Sequence, residues 1–319
     1  MNEYRYIGKQ TKRMAAHDMI TGRAKYARDL CVPGMLYGKV LRSPHAYAKI
    51  VSIDTSKALE LPGVEVILTY QNSPHWMEGM PMEHKRFLDQ IVRYVGDAVA
   101  IIAAVTEDIA EEAMDLIEVE YEVMNPVLSI DEAFAPDAPQ IYDYMPGNLA
   151  PAEPFAKQHL SFTDVKYGDV EKGLAEADAI GEAHSVVTNG QHPLPPEAPG
   201  VICQWEGEYL TVRGSMSSIG LCAMMNAPHM HIPISHMRVI PAYVGGSYGS
   251  KHFSSVGSII LYASALAKAT HKPVGIFYTK EEHFTSQTCR LNSIGDYQIG
   301  LKKDGTVTAV KGRWVGESG

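Results

Sequence analysis

The sequence predicts an α+β fold organised as two domains. A chain of 319 residues is longer than one small core usually needs, which favours two domains. Several short segments alternate apolar and polar residues as strands do, whereas others repeat apolar residues at helical spacing. Between residues 133 and 157 a stretch rich in proline and alanine has neither period and predicts an extended connector. We therefore expect a first domain over 1–132, a connector over 133–161 and a second domain over 162–319.

The first domain mixes strands with two helices. The short helix is expected at "SKALEL", which Pro62-Gly63 ends, and the longer one follows Thr106 as its N-cap. Glu107 and Asp108 suit the positive first turn of that longer helix. Strands are predicted over 34–43, 48–55, 64–70, 97–105 and 116–124. This mixture is typical of an α+β domain.

The second domain combines several strands with a buried helix. "SVGSIILYASALAKAT" (255–270) is apolar almost all round, which predicts a buried helix. Thr279 and Glu282 have the spacing of a capping box before "KEEHF", and Lys303-Asp304-Gly305 predicts a hairpin turn. The strands are expected within 179–187, 200–214, 237–244, 272–279 and 294–316. Because the sequence stops directly after a strand, we expect a partner chain to supply the rest of this domain.

Composition and charge exclude several classes of function. The net charge is −9 with no long basic block, which argues against a nucleic-acid groove or an anionic membrane surface as partner. The N-terminus lacks the apolar core of a signal peptide, and no uninterrupted apolar run approaches 18 residues, so a cytoplasmic protein is expected. The four cysteines are far apart without a C-x-x-C pair, so an iron–sulfur cluster or a structural zinc on this chain alone is not expected. Free and mostly buried thiols are the expected state.

A glycine-rich turn, "VGGSYGSK" (244–251), lies between a predicted strand and a predicted helix. Such a turn can bring backbone N–H groups against an anion or a cofactor. It differs from a P-loop because Ser250 separates Gly249 from Lys251 and His252 follows, and it also departs from G-x-G-x-x-G. The residues alone therefore leave two interpretations open: a cradle for an anion or cofactor, and a plain tight turn.

A proline-rich segment, "NGQHPLPPE" (189–197), is the second candidate. Its prolines fix an extended backbone, which would hold Gln191 and His192 on a rigid support. The alternative is a loop with solvated polar residues.

Three histidines in "PHMHIPISHM" form a weaker candidate. His229 and His231 would point to one face of a strand, as metal ligands do, and His236 follows. No neighbouring carboxylate or cysteine completes a ligand set, so packed histidines are the favoured interpretation. No nucleophile motif such as G-x-S-x-G is present, and we assign no nucleophile.

The chain resembles a known family over nearly its whole length. "TGRAKYARDLCVPGMLYGKVLRSPHAYAKIVSIDTSKALELPGVEVILT" and "VRYVGDAVAIIAAVTEDIAEEAMDLIEVEYEVMNPVLSIDEAF" resemble the hammerhead α/β domain of the xanthine oxidase family of molybdenum hydroxylases. Downstream, "NGQHPLPPE" is similar to that family's "GGQ-x-H-x-x-x-E", and "VGGSYGSK" to its "GGGFGGK". The resemblance implies an N-terminal hammerhead α/β domain followed by part of a mixed α+β molybdopterin-binding domain. Such an arrangement corresponds to the N-terminal half of a split large subunit, as in nicotinate dehydrogenase.

The resemblance also implies roles for individual residues. Gln191 matches the catalytic glutamine that approaches the apical oxo ligand of molybdenum. Tyr248 and His252 match positions that line the substrate pocket. No protein side chain is implied as a metal ligand, since molybdenum is held through the pterin dithiolene. The implied cofactor-binding residues are Gly245, Gly246, Ser247, Tyr248, Gly249, Ser250 and Lys251.

Three positions depart from the family pattern. Pro193 stands where the family has histidine, and Tyr248 stands where phenylalanine is common. His252 replaces a glutamate that binds the heterocycle in purine-oxidising members. A substrate with a carboxylate, carbonyl or thioester would suit His252 better than a purine.

The implied function is that of a molybdopterin-binding subunit of a multi-subunit hydroxylase or dehydrogenase. It would oxidise a heterocyclic, aldehyde or acyl-CoA type substrate with water as the oxygen source. Its cofactor would be molybdopterin or molybdopterin cytosine dinucleotide. Because the family's base glutamate and an arginine-containing segment are absent, a second molybdopterin-binding subunit is expected to supply them. An iron–sulfur subunit and a flavin (FAD) subunit would carry electrons away. The alternatives are a non-catalytic scaffold or assembly subunit and, with less support, a nucleotide-binding protein.

Overall fold

The computed structural model describes residues 4–76, 87–143, 145–149, 166–188, 190–286 and 289–317. Its strands are β1 (Leu36–Arg42), β2 (Ala48–Asp54), β3 (Val64–Thr69), β4 (Ile91–Val92), β5 (Ala98–Ala104), β6 (Glu118–Val123), β7 (Ala179–Val187), β8 (Gly200–Glu206), β9 (Tyr209–Gly214), β10 (Met237–Pro241), β11 (Val274–Phe277), β12 (Ser293–Leu301) and β13 (Val307–Gly316). Its helices are α1 (Ala16–Ile20), α2 (Ser56–Leu59), α3 (Glu107–Asp115), α4 (Ile130–Ala133), α5 (Val170–Ala175), α6 (Ile219–His229), α7 (Phe253–Thr270) and α8 (Lys280–Ser286). This mixture confirms the α+β class.

One seven-stranded sheet contains strands from both sides of the connector. Its order is β10-β9-β8-β11-β1-β5-β3. Strand β1 pairs antiparallel with β5 and parallel with β11, where Leu36 lies opposite Val274. The first and last thirds of the chain are thus joined by backbone hydrogen bonds. The division at 133–161 remains a prediction, and residues 150–165, including the expected start of the second domain at 162, lie outside the described residues.

The core lies between this sheet and α7. Ile259, Ile260 and Leu266 of α7 have no exposed surface, which confirms the buried helix expected from its apolar sequence. All seven residues of β5 are buried as well. Burial on both faces of β5 explains why its sequence is apolar at consecutive positions.

The local capping signals are confirmed. The Thr106 side chain accepts a hydrogen bond from Ile109 N at the start of α3. At α8, Thr279 Oγ1 accepts from Glu282 N, and Glu282 accepts in return from Thr279 N. The turn expected at Lys303-Asp304-Gly305 joins β12 to β13, with φ of +86° at Gly305.

Two smaller three-stranded sheets complete the architecture. Their orders are β4-β2-β6 and β13-β12-β7. In the second of these, β7 and β13 lie at the two edges, each paired antiparallel with β12. None of the helices in the described ranges is both long enough and apolar enough to cross a membrane.

Helix α6 corrects the interpretation of the histidine cluster. His229 ends α6, and His231 follows with φ of +55°, so the two rings do not share the face of a strand. Across the described residues, no group of three or more His, Cys, Asp or Glu side chains could hold a metal ion. The thiols also differ in part from expectation, since Cys31 and Cys289 are exposed while Cys203 and Cys222 are buried.

Candidate functional site

The glycine-rich turn connects the end of β10 to the start of α7. Gly246 and Gly249 have φ of +94° and +95°, which glycine adopts without the steric cost of a Cβ. Tyr248, between them, has φ of +50° and leaves 63% of its side chain exposed. A non-glycine residue in this region is strained, and its neighbours must hold it there.

The Glu197 carboxylate fixes this turn from behind. Its Oε2 accepts hydrogen bonds from Lys251 Nζ at 2.5 Å, Ser215 Oγ at 2.6 Å and Gly245 N at 2.7 Å. Its Oε1 accepts one from Ala27 N at 3.1 Å. A Cβ at Gly245 would lie 2.6 Å from Glu197 Cβ, so only glycine permits this approach. One carboxylate therefore joins the proline-rich segment to three others that are distant in sequence: those of Ala27 and Ser215, and the turn itself.

Burial and pairing set the charge of this contact. Lys251 is fully buried, and burial lowers the pKa of its ammonium group although Glu197 opposes that change. Burial alone would raise the pKa of Glu197, but the hydrogen bonds from Lys251, Ser215 and Gly245 outweigh it and lower the pKa. The carboxylate is therefore ionised at neutral pH and acts as the counter-ion of Lys251.

Arg290 joins the Gln191 segment to the turn. Its backbone N donates to Gln191 O at 3.0 Å, and its Nη2 donates to Tyr248 O at 3.1 Å. Next to Gln191, Gly190 N donates to Asn292 Oδ1 at 2.7 Å. A Cβ at Gly190 would lie 1.8 Å from Arg290 O, so this crossing requires glycine. The structure thus brings Gln191 and the turn to the same place, although 57 positions separate Gln191 from Tyr248.

His192 anchors the same segment to α8. Its Nε2 donates to His283 O at 2.8 Å, and its Nδ1 accepts from Leu194 N at 3.2 Å. Its ring packs edge-on against that of His283 at 4.8 Å between centroids. Burial lowers the pKa of His283 to about 4, with further lowering from His192 and nearby lysines, so this ring is neutral at physiological pH. His192 therefore provides an anchor next to Pro193, the position where the family pattern has histidine.

Several polar groups of the Gln191 segment and of the glycine-rich turn are left accessible to a ligand. The Gln191 side chain is exposed, and His252 is half-buried immediately before α7. Gly246, Ser247, Tyr248 and Gly249 have backbone N–H groups without an acceptor among the described residues. Consecutive N–H donors, three of them at positive φ, suit a ligand with several hydrogen-bond acceptors, as a pterin or phosphate has. The residues present therefore fit the molybdenum cofactor expected from the sequence.

Some residues of this site were not predicted from the sequence. Glu197 is the last residue of the proline-rich segment and Lys251 belongs to the turn, but no sequence pattern pairs the two. Ser215 and Arg290 carry no motif that would single them out. An unpaired buried lysine would be costly, so the burial of Lys251 requires a nearby carboxylate. Its sequence neighbours Ser250 and His252 give no sign of that burial.

Comparisons with known proteins agree with this architecture. Residues 21–125 match the family model described as "Aldehyde oxidase and xanthine dehydrogenase, a/b hammerhead domain". Residues 152–319 match the one described as "Molybdopterin cofactor-binding domain".

Relatives and solved structures match most of the chain. The probable hypoxanthine oxidase XdhD of Escherichia coli K12 is 33% identical over 96% of this chain and 35% of its own length. The nicotinate dehydrogenase large molybdopterin subunit of Eubacterium barkeri is 30% identical over 99% of this chain and 72% of its own length. The crystal structure of quinoline 2-oxidoreductase from Pseudomonas putida 86 superposes with a TM-score of 0.77 at 26% identity, over 96% of this chain and 39% of that one.

These matches cover both parts of the chain. This chain spans about a third of the E. coli protein, so it corresponds to one segment of that longer relative. On the combined evidence of the two family models, the E. barkeri relative and the superposition, the chain belongs to the aldehyde oxidase and xanthine dehydrogenase family and contains its hammerhead and molybdopterin cofactor-binding sequences.

Proposed function

We propose that this chain is a molybdopterin-binding subunit of a multi-subunit molybdenum hydroxylase or dehydrogenase. The reaction proposed is oxidation of a carbon in a heterocyclic, aldehyde or acyl-CoA type substrate, with water as the source of oxygen. The observation that carries the proposal is the joining of Gln191 to the glycine turn through Arg290, with the turn fixed from behind by Glu197.

Each accessible group has a role in this proposal. The molybdenum cofactor supplies the redox chemistry when bound, and the protein supplies binding and orientation. The N–H groups from Gly246 to Gly249 hold the cofactor, and the Gln191 amide orients the reacting centre. Tyr248 and His252 lie on the outer side of the turn, where they would contact the substrate.

Other subunits complete the proposed enzyme. We place the catalytic base on a second molybdopterin-binding polypeptide, and the iron–sulfur clusters and a flavin on further chains. Among the described residues, no group of three or more His, Cys, Asp or Glu side chains is arranged to hold a metal ion, which supports this placement of the clusters.

The proposal is tested by Gln191→Ala in the purified complex. Loss of one positioned hydrogen-bond donor should lower kcat about a hundredfold while molybdenum content stays unchanged. Gln71→Ala, at an exposed turn outside the site, is the matched control and should leave both quantities unchanged. Unchanged kcat in the Gln191 variant would remove this residue from the reaction.

Substrate choice is tested by His252→Glu. If His252 contacts the substrate, the ranking of kcat/KM over heterocycles, aldehydes and thioesters should change, because the replacement exchanges a potential cation for an anion. The cofactor content should remain that of the wild type. An identical ranking for all three classes would contradict a role in the pocket.

A further inference from the structure

The Gln191 segment begins where the three-stranded sheet of β7, β12 and β13 ends. The last rung of this ladder places Ser293 of the central strand β12 opposite Val187 on one side and Gly316 on the other. Asn292 directly precedes that rung, and its backbone O accepts a hydrogen bond from Glu317 N at 3.0 Å. The side chain of Asn292 therefore lies between the chain that leaves β7 and the chain that leaves β13.

The Asn292 amide connects these two chain segments. Its Oδ1 accepts a hydrogen bond from Gly190 N at 2.7 Å, and its Nδ2 donates one to Glu317 Oε2 at 2.7 Å. All three residues are half-buried. A backbone N–H can only donate and an ionised carboxylate can only accept, so these partners allow one orientation of the amide.

Two hydrogen bonds fix the backbone on either side of the Gln191 side chain. Before it, Gly190 N is held by Asn292, and after it, Gln191 O accepts from Arg290 N at 3.0 Å. The Gln191 side chain itself is exposed. Its starting point and direction are therefore set by its backbone, and the backbone is set in part by Asn292.

The Glu317 carboxylate keeps the Asn292 amide in place. A hydrogen bond to an ionised acceptor is stronger than one between neutral groups, so it restricts rotation of the amide more effectively. With Nδ2 held by Glu317, Oδ1 stays directed at Gly190. The orientation of the amide thus depends on the charge of a residue that does not contact the Gln191 segment through its own side chain.

We propose that Asn292 and Glu317 form a positioning pair for Gln191. Glu317 orients the Asn292 amide, and the amide fixes the backbone from which the Gln191 side chain extends. This inference rests on the proposed function and deepens it by naming the residues that determine the position of the catalytic amide. Neither residue belongs to a motif, and both lie more than 100 positions after Gln191 in the sequence.

Asn292→Asp in the purified complex tests the pair. The replacement keeps the size of the side chain but sets a second carboxylate against Glu317, and like charges at this distance repel. The Gly190 amide should then exchange with deuterium about tenfold faster or more, as followed by mass spectrometry of peptides that contain it. Misplacement of Gln191 should lower kcat about ten- to hundredfold, with KM and molybdenum content near those of the wild type.

Adding Glu317→Gln to Asn292→Asp should rescue both properties. The new glutamine amide can donate to the new aspartate, which restores the hydrogen bond with its direction reversed. Exchange at Gly190 should slow again and kcat should recover. A folded double variant that keeps the low kcat of Asn292→Asp would overturn the inference, because the pair would then not be what positions Gln191.

Gln298→Glu is the matched control. Gln298 of β12 donates through Nε2 to Glu182 Oε1 on β7 at 2.7 Å, so this replacement also sets two carboxylates against each other in the same sheet. It should change neither exchange at Gly190 nor kcat. Equal effects of Gln298→Glu and Asn292→Asp would overturn the inference, since they would reflect a general weakening of the sheet.

The remaining outcomes separate this inference from the proposed function. If Asn292→Asp does not fold, Glu317→Ala decides, because unchanged exchange at Gly190 in that variant would overturn the pair. A kcat that falls in Gln191→Ala but not in Asn292→Asp would refute the positioning pair alone. Faster exchange at Gly190 in Asn292→Asp, with kcat unchanged in both variants, would refute the proposed role of Gln191 and leave the anchoring by Asn292 intact.

Discussion

At the scale of single residues, the Glu197 carboxylate determines the geometry of the site. It receives hydrogen bonds from Ala27, Ser215, Gly245 and Lys251, which belong to three separate segments because the last two lie in the same turn. Breaking a buried ion pair by removing one partner is costly because the other charge stays buried. The position of the turn should therefore depend on the charge of this pair.

Replacing Lys251 with methionine should destabilise the protein by about 3 kcal/mol, because the change leaves Glu197 without its counter-ion. The midpoint of urea unfolding measures this effect. Lys57→Met is the matched control, since Lys57 also lies 2.5 Å from a glutamate but both partners are well exposed. Solvent screening makes such a pair weak, so no shift of the midpoint is expected there. Equal midpoints for the two variants would contradict the importance assigned to the buried pair.

Some residues of the candidate cofactor site can be predicted from the sequence, and others cannot. The turn and Gln191 could be found because each belongs to a short contiguous motif. The pairing of Glu197 with Lys251 could not, because 54 positions separate them and only the fold brings them together. His252 and Tyr248 remain predictions as pocket residues.

At the scale of elements, α8 connects the site to the first part of the chain. Arg42 donates to Glu282 on α8 at 3.2 Å and to Gly96 O at 3.0 Å. A Cβ at Gly96 would lie 2.5 Å from Thr285 O, so α8 packs directly against this glycine. Because His192 is hydrogen-bonded to His283 of α8, the packing of α8 also supports the Gln191 segment.

Gly96→Ala should therefore destabilise the protein more than an ordinary change at a left-handed glycine. Positive φ alone costs an alanine roughly 1–2 kcal/mol, and overpacking against Thr285 adds about 1–3 kcal/mol. Gly22→Ala isolates the first contribution, because Gly22 has φ of +71° and nothing within 4 Å of its Cβ position. Chemical denaturation of both variants measures the difference. An equal loss of stability in Gly96→Ala and Gly22→Ala would show that α8 does not pack against Gly96 as described.

Helices α2, α3, α7 and α8 were predicted from the sequence, whereas α1, α4, α5 and α6 were not, and α6 is the longest of these. Helix α3 carries a threonine cap, and α8 carries a capping box. Helix α6 was missed because apolar residues also occupy its exposed side, where Leu221 and Met224 are 38% and 49% exposed. It also contains Pro228 and shows no side-chain cap. A helix without a polar face leaves no amphipathic pattern to detect.

At the scale of the whole molecule, the seven-stranded sheet unites both parts of the chain. The parallel pairing of β1 with β11 joins residues more than 230 positions apart. Parallel pairing between such distant strands leaves no short-range pattern in the sequence, which explains why the sequence suggested two units but not their common sheet. The hydrophobic core likewise includes Ile101 of β5 and Ile260 of α7 in one cluster.

This shared core predicts one cooperative unfolding transition. Ile101→Ala and Ile260→Ala should each cost about 2–5 kcal/mol and move the same transition, because both leave a cavity in one core. Circular dichroism and tryptophan fluorescence should give coincident curves. Two separate transitions, each moved by only one of the variants, would show that the two parts unfold independently.

We propose that Gln191 and the glycine turn form part of a molybdenum cofactor site. Metal analysis of the purified complex, with every subunit present, is the decisive measurement. We expect stoichiometric molybdenum in the wild-type complex. We expect a marked loss of molybdenum in Gly249→Val, since φ of +95° disfavours a β-branched residue and the turn could not keep its shape. A complete complex without stoichiometric molybdenum would contradict a cofactor site at this turn.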